Sequence, residues 1–354
     1  MGLRSATKSS EMKVDPEQYM AGDVLTKHKE EHSQSCQDQL VRAHLNNFLW
    51  NIRIVKDYAG ILGFEKLFKG LPMVVAGAGP SLDKHWDLLR EYRKNIIIIV
   101  CDAALPAFMK KKLPPDFVIV VDPTEKQHLN FDCIDCEQTY SILPPICHPE
   151  VFRKVVPRQC SVYNVKDPSN MVLEMAPYHT GRKGALPAGV LTTGSAYGFA
   201  AMSGASPIMF IGMDLSWPSP DTVYAENLAE DKYRFQRAVK LKGGCALFPD
   251  IEKGFRLTHN TFICFWAWLK EVVEISKVNV INCTEAGILK SKRIKVKPFK
   301  DTLEKYASKE LIGIKEKIQK AHEARYSDGM VEKLLVPPFR KGYKAVAPHL
   351  KAGC

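Results

Sequence analysis

No apolar run in this chain approaches the roughly 18 residues that a membrane span requires. The longest, 96–101 and 262–269, have the length of a strand and of part of a helix. The N-terminal stretch has no apolar signal core and stays polar to about residue 36, the pattern of a cytoplasmic, non-secreted protein. Gly2 opens it as a myristoylation site would, but Ala6 stands where Ser or Thr is required, and that motif is set aside. A disulfide framework is also missing: the 10 cysteines are scattered over 354 residues, mostly inside apolar segments, which suits a reducing compartment. Cys133 and Cys136 form one CxxC, with Cys147, His148 and Cys160 downstream. No second CxxC completes a zinc set, so these residues read as scattered thiols, and no cofactor is assigned from them. Acidic residues are outnumbered, 39 against 50 Lys and Arg, and the formal charge of +11 favours anionic partners such as nucleotides. Much of the excess sits in residues 290–300 and beyond residue 340. Such strings are commonly solvated faces, and no RNA-recognition or finger pattern accompanies them, so nucleic acid is set aside.

What is present is ordinary globular material, 45% hydrophobic and 25% charged, in a chain long enough for a sizeable core. Residues 1–36, rich in Lys, Glu, Ser and Gln, read as a flexible segment. In 37–59, Leu40, Val41, Leu45, Phe48, Leu49, Ile52 and Val55 recur at helical spacing, so 37–70 reads as a helical lead-in that packs on the domain C-terminal to it. From residue 71, short apolar runs alternate with helical stretches. Strands are expected at 73–76, 96–101, 117–121, 141–143, 161–164, 207–212 and 279–282. Helices are expected at 82–92, 104–112, 195–203 and 260–275. That alternation predicts an α/β, Rossmann-like domain over 71–290, with a mostly parallel sheet covered by helices on both faces. A basic C-terminal extension over 291–354 completes the chain, with a charged helix at 301–326 and then a tail.

In an open parallel sheet, ligands bind beyond the carboxyl ends of the strands. Polar residues at those ends are therefore the informative ones. After the first strand, Gly77-Ala78-Gly79-Pro80-Ser81 turns into a helix start. The glycines permit a close backbone approach, Pro80 suits a first helical turn, and the free amides with the Ser81 hydroxyl can donate to an anion. A Walker loop is excluded because no Lys-Ser or Lys-Thr is present after the glycines. The dinucleotide fingerprint fails because Leu82 replaces its third glycine. The loop therefore marks either an anion site or a tight turn. Asp102 ends the second strand, where it could accept from ribose hydroxyls or cap the next helix. Asp122 and Asp214 end later strands in the same way, and three aspartates at strand ends point to a polar site. Thr193, Gly194 and Ser195 open a small-residue helix, as a nucleotide contact or as an ordinary hydroxyl cap. His259 precedes the long apolar helix, either as a base for a sugar hydroxyl or as a cap.

In their order, AGAGPSLDK, CDAAL, PPDFVIVVDPTE, TTGSAYGFAAMSGASPIMFIGMDLSW and VINCTEAG resemble the MptE-like domain family. That family includes 6-hydroxymethylpterin diphosphokinases and the motility accessory factors implicated in flagellin glycosylation. The resemblance covers about 71–289 and implies a Rossmann-like α/β fold. A fainter likeness, in GPSL, the Thr/Ser-Gly helix start and a strand ending Gly-x-Asp, extends to bacterial sialyltransferases that use CMP-sialic acid. The diphosphokinase branch implies an acidic cluster after the third strand, holding magnesium on ATP. Here Asp122 is present, but Thr124 stands where a second aspartate is expected, with Glu125 beside it. VVDPTEKQHLNF is more similar to the accessory-factor loop. His259 matches in order the catalytic histidine of the sialyltransferases.

The expectation is a nucleotide-dependent transferase, foremost a glycosyltransferase using a CMP-activated nonulosonic acid. Gly77, Gly79, Pro80, Ser81, Asp102, Thr193, Gly194, Ser195 and Asp214 would bind the nucleotide or nucleotide-sugar donor, with His259 and Asp122 catalytic. The alternatives are pyrophosphoryl transfer from ATP, with magnesium on Asp122, and a nucleotide-binding or scaffold protein without turnover.

Overall fold

The computed structural model describes residues 34–167, 170–181, 183–187, 189, 191–218, 224–226 and 245–323. Most of the expected flexible segment and the tail beyond residue 323 lie outside the described residues.

The core is a nine-stranded sheet, parallel at every pairing. Its strands are β1 (Ala59–Gly60), β2 (Met73–Ala76), β3 (Ile97–Cys101), β4 (Phe117–Ile119), β5 (Tyr140–Leu143), β6 (Cys160–Val162), β9 (Ile208–Ile211), β12 (Val280–Asn282) and β13 (Ile294–Val296). Their spatial order is β1-β6-β5-β4-β3-β2-β9-β12-β13. Side chains alternate across the sheet. Met73, Val75, Ile97 and Ile99 join one core, and Val74, Ala76, Ile98 and Val100 the other. Both faces are therefore apolar, which explains why these strands read as unbroken hydrophobic runs. Each of the β3 isoleucines is fully buried, a contribution of about 1.5–3 kcal/mol apiece before entropy.

Helices α6 (Thr192–Met202) and α7 (Asn260–Ser276) cover the first face. The second face is covered by α2 (Trp86–Glu91), α3 (Leu105–Lys110), α4 (Pro149–Lys154) and α8 (Phe299–Tyr306). Helix α1 (Gln34–Val55) packs against α5 (Met171–Thr180), with the Phe48 and His179 ring centroids 6.1 Å apart. Two small sheets stand apart: β7 (Asn164–Lys166) with β8 (Ala185–Pro187), and the hairpin β10 (Cys245–Pro249) with β11 (Phe255–His259). Nothing in the sequence pattern announced that hairpin.

Three expectations need correction. The helix expected at 82–92 is a 3-10 turn, Pro80–Lys84, and then α2, with His85 at φ −109° breaking the run. The charged helix expected at 301–326 is two helices, α8 and α9 (Ile314–Glu323): α8 ends where Ala307 turns to φ −119°, and Gly313, at φ +72°, precedes α9. The strand expected at 161–164 ends at Val162, and the chain leaves the main sheet to pair β7 with β8. The flanking segments also build the sheet itself. The lead-in supplies β1, and residues beyond 290 supply β13. Helix α9 sits on the first turn after β1, where a Cβ on Gly63 would fall 2.1 Å from the Ala321 carbonyl oxygen.

Candidate functional site

The strand order reverses between β2 and β9, and such a switch point is where an open parallel sheet forms its ligand crevice. In this chain the two loops at that point are tied together. The Gly77 amide donates to the Ile211 carbonyl and the Gly79 amide to the Gly212 carbonyl, both at 2.9 Å. The Ser81 hydroxyl donates to Asp214 Oδ2 at 2.8 Å, and the Ser81 amide to the same oxygen at 3.3 Å. A Cβ on Gly77 would lie 2.4 Å from the Gly212 oxygen, and one on Gly79 would lie 2.1 Å from Asp214 Oδ2. The close approach anticipated from these glycines is therefore satisfied within the protein, between loops. Ser81 donates to an internal carboxylate, not outward to an anion. Burial raises the Asp214 pKa to about 6, although the Ser81 donors pull it down.

One strand further along, the carboxyl edge is linked by amides. Asn130 Nδ2 donates to Asp102 Oδ2 and to Gln127 Oε1, each at 2.8 Å. Gln127 Nε2 donates to Asp122 Oδ2 at 2.8 Å, and the Thr124 amide donates to Asp122 Oδ1 at the same distance. Asp102 and Asp122, 20 positions apart in the chain, are thereby held by one relay on the 3-10 turn Glu125–Phe131. Cys101, not Asp102, is the N-cap of the turn after β3. Residues 224–226 lie over this edge. Ala225 donates to the Ala78 carbonyl at 3.0 Å and Glu226 to Asp83 Oδ2 at 2.8 Å. Burial raises the Tyr224 pKa to about 12, and the Cys101, Asp102 and Asp122 side chains add to that shift.

The remaining expected residues sit at the starts of helices that run back from this edge. Thr193 and Ser195 are buried in the first turn of α6, where Ser195 Oγ donates to the Pro187 carbonyl at 2.6 Å. Among the described residues, the buried Thr193 Oγ1 has no hydrogen-bond partner. Gly194 packs beneath Gly189 and Trp268. His259 is the N-cap of α7: its Nδ1 accepts from the Thr261 amide at 3.2 Å. A neutral ring that accepts at Nδ1 carries its proton on Nε2.

Motif reading passed over Gln127, Asn130 and Tyr224, and also one polar face of α1. Asn47 Nδ2 donates to the carbonyls of Pro123 and Ile146, at 2.8 and 2.9 Å. Asn51 Nδ2 donates to those of Pro145 and Cys147, both at 2.8 Å. The lead-in helix is thereby fastened to the loops after β4 and β5. The interruption of its apolar spacing by His44, Asn47 and Asn51 was the available signal. Among the described residues, no three His, Cys, Asp or Glu side chains gather as a metal set. Cys133 and Cys136 donate instead to the Asn130 and Lys154 carbonyls, and burial raises both thiol pKa values.

Parallel sheet, helices on both faces and a polar carboxyl edge define a Rossmann-like α/β protein. Residues 46–220 match the family model described as 6-hydroxymethylpterin diphosphokinase MptE-like, and over this segment the chain is similar to that family. An uncharacterized protein of Treponema pallidum is 42% identical over 89 residues, 25% of this chain and 41% of that protein. The 6-hydroxymethyl-7,8-dihydropterin pyrophosphokinase of Methanocaldococcus jannaschii is 29% identical over 136 residues, 35% of this chain and 53% of its own. The MAf glycosyltransferase from Magnetospirillum magneticum AMB-1 shares the fold, with a TM-score of 0.53 and 15% identity over 76% of this chain and 41% of that one. The chain thus spans 41 to 53% of the length of these proteins. None of its described helices is long and apolar enough to cross a membrane.

Proposed function

We propose that this protein is a nucleotide-dependent transferase that moves a glycosyl group from a CMP-activated nonulosonic acid to an acceptor hydroxyl. The observation that carries the proposal is the relay from Asp102 through Asn130 and Gln127 to Asp122. It presents two oriented carboxylates at neighbouring strand ends, next to Tyr224, and such groups suit the hydroxyls of ribose and sugar. In the transfer, the bond from the anomeric carbon to the CMP phosphate oxygen breaks and the acceptor oxygen bonds to that carbon. The electron pair leaves with CMP, and the acceptor proton passes to a base. The protein's part is to position the two substrates and to stabilise the oxocarbenium character that develops. The N-terminal turn of α6, with the buried Thr193 hydroxyl, is the proposed phosphate contact. Gly77, Gly79 and Pro80 form the wall behind the nucleotide, and Ser81 and Asp214 act as the brace that fixes that wall.

His259 is the proposed base, and its cap geometry provides a test. Asn caps helices well but does not titrate at neutral pH. His259→Asn is expected to keep the melting temperature and to lower transfer by roughly 10²–10⁴-fold. Unchanged turnover would limit His259 to its cap.

Pyrophosphoryl transfer from ATP is the second reading, favoured by the similarity to the Methanocaldococcus jannaschii pyrophosphokinase. It would place magnesium at Asp122, whose two oxygens already accept from Thr124 and Gln127. Isothermal titration separates the two. Binding of CMP or a CMP-sugar supports glycosyl transfer, whereas binding of ATP with magnesium and not CMP overturns it. Binding with no turnover over long incubation identifies a nucleotide-binding protein.

A further inference from the structure

The least expected polar side chain at the carboxyl edge is His44, on the helix that the sequence pattern assigned only to packing. It is 5% exposed. It lies one helical turn before Asn47, on the same face, and Asn47 is bonded to the Pro123 carbonyl, next to Asp122.

The protonation of its ring is set by a chain of hydrogen bonds. Asn170 is the N-cap of α5, and its Oδ1 accepts from the amides of Val172 and Leu173 at 3.1 and 3.4 Å. The cap fixes which end of the Asn170 amide is oxygen, so the other end is the NH2 group, which only donates. That group lies 2.9 Å from His44 Nδ1. His44 Nδ1 must therefore be the acceptor, and in a neutral imidazole the single proton then sits on Nε2. Burial pushes the His44 pKa down to about 4, against partial opposition from the Asp167 and Asp122 carboxylates. The ring is therefore uncharged at neutral pH, and the bond to Asn170 engages Nδ1, which leaves the Nε2–H as the ring's donor.

The Asn170 cap permits no other tautomer, and the ring stands within electrostatic reach of the Asp122 carboxylate. We propose that His44 is a ligand-contacting residue of the carboxyl-edge site, its Nε2–H donating to an oxygen of the bound nucleotide while Asn170 holds the ring in that tautomer. The proposal rests on the nucleotide reading above. A neutral donor suits this position, because an imidazolium beside Asp122 and Asp167 would pair with the protein's own carboxylates instead of the ligand. Asp122 then accepts from ligand hydroxyls while His44 donates, so the two groups together select a ligand that offers both.

The test combines nitrogen-15 NMR of the histidine rings with titration calorimetry on the full chain. The free protein is expected to show His44 as the Nε2–H tautomer from pH 8 down to about pH 5, above the ring's midpoint of about 4. An Nδ1–H tautomer overturns the proposal. Asn170→Asp keeps a capping oxygen but replaces the donor with a second acceptor. It is expected to move the His44 proton to Nδ1 or to produce the imidazolium. CMP, or ATP with magnesium if CMP does not bind, is expected to shift the His44 Nε2 resonance. Cytidine as a second probe distinguishes a phosphate oxygen from a base or ribose oxygen, since only the latter shifts it without phosphate. His44→Phe, which keeps the ring volume, is expected to weaken nucleotide binding by roughly threefold to tenfold. His44→Gln, which can still donate from its amide, should recover most of it. Nucleotide binding with Nε2 unmoved, or His44→Phe binding as tightly as wild type, overturns this proposal alone. Absence of binding by any of these nucleotides to the wild-type protein overturns the nucleotide reading and the ligand contact together.

Discussion

The Ser81 hydroxyl and the Asp214 carboxylate, 133 positions apart in the chain, are joined at 2.8 Å across the switch point of the sheet. The loop that resembles an anion cradle is thereby held shut by an anion of the protein's own. Its amides and hydroxyl align the ends of β2 and β9, and the polar groups of the proposed site lie one strand away, around Asp102 and Asp122.

Removing the hydroxyl tests that brace. Ser81→Ala takes the 2.8 Å hydroxyl donor from the buried Asp214 carboxylate and leaves the weaker Ser81 amide contact at 3.3 Å. The expected loss is about 1–3 kcal/mol of unfolding free energy at pH 7, read from urea denaturation. A variant as stable as wild type would contradict a brace at this point.

The pH dependence is set by the sign of the Asp214 shift. Its folded-state pKa lies near 6 against an ordinary value of 3.8, so between those values the folded protein retains a proton that the unfolded chain releases. Stability is then highest below about pH 4 as far as this group is concerned, and falls as pH rises to about 6. The full effect is on the order of 3 kcal/mol. Asp214→Asn removes the titration, so the wild-type curve should descend relative to the variant over that window and run parallel above it. Curves parallel throughout would show that Asp214 is not shifted upward.

Gly79 should tolerate no side chain. Its φ of −69° is ordinary, so the expected penalty for Gly79→Ala is steric: the new methyl would meet Asp214 Oδ2 at 2.1 Å and the Gly212 carbonyl oxygen at 2.7 Å. A loss of several kcal/mol is expected, at or beyond the upper end of ordinary overpacking. Gly70→Ala is the contrast. There φ is +76° and no heavy atom lies within 4 Å, so only backbone strain of about 1–2 kcal/mol is at stake. Thermal unfolding of the two variants side by side should rank Gly79→Ala well below Gly70→Ala.

Asn130 links the two carboxylates of the proposed site. Asn130→Ala removes the donor to Asp102 Oδ2 and should cost about 1–3 kcal/mol together with nucleotide affinity. Asn130→Asp puts a carboxylate where an amide donated, against the buried Asp102, and should be the less stable of the two at pH 7. If Asn130→Asp matched Asn130→Ala by denaturation and by calorimetry, the relay would have no role in orienting Asp102.

The sequence by itself determined the parallel α/β architecture, because a strand buried on both faces must be apolar at every position, as Ile97–Cys101 is. It also located the ends of those strands, and with them Asp102, Asp122 and Asp214, since a polar residue that closes an apolar run marks the rim of the sheet. What each rim residue faces was decided only in three dimensions. Strand order brought β9 beside β2, so Asp214 occupies Ser81 and the glycines serve loop contact instead of ligand approach. The asparagines and glutamine of the proposed site were invisible to motif reading for a related reason. Gln127 and Asn130 make ordinary spacings on a turn, and His44 and Asn47 on a helix, and their partners lie on other elements. A side chain's role in a buried polar network is set by the donors and acceptors that the fold places within about 3 Å of it. Local sequence does not contain that information.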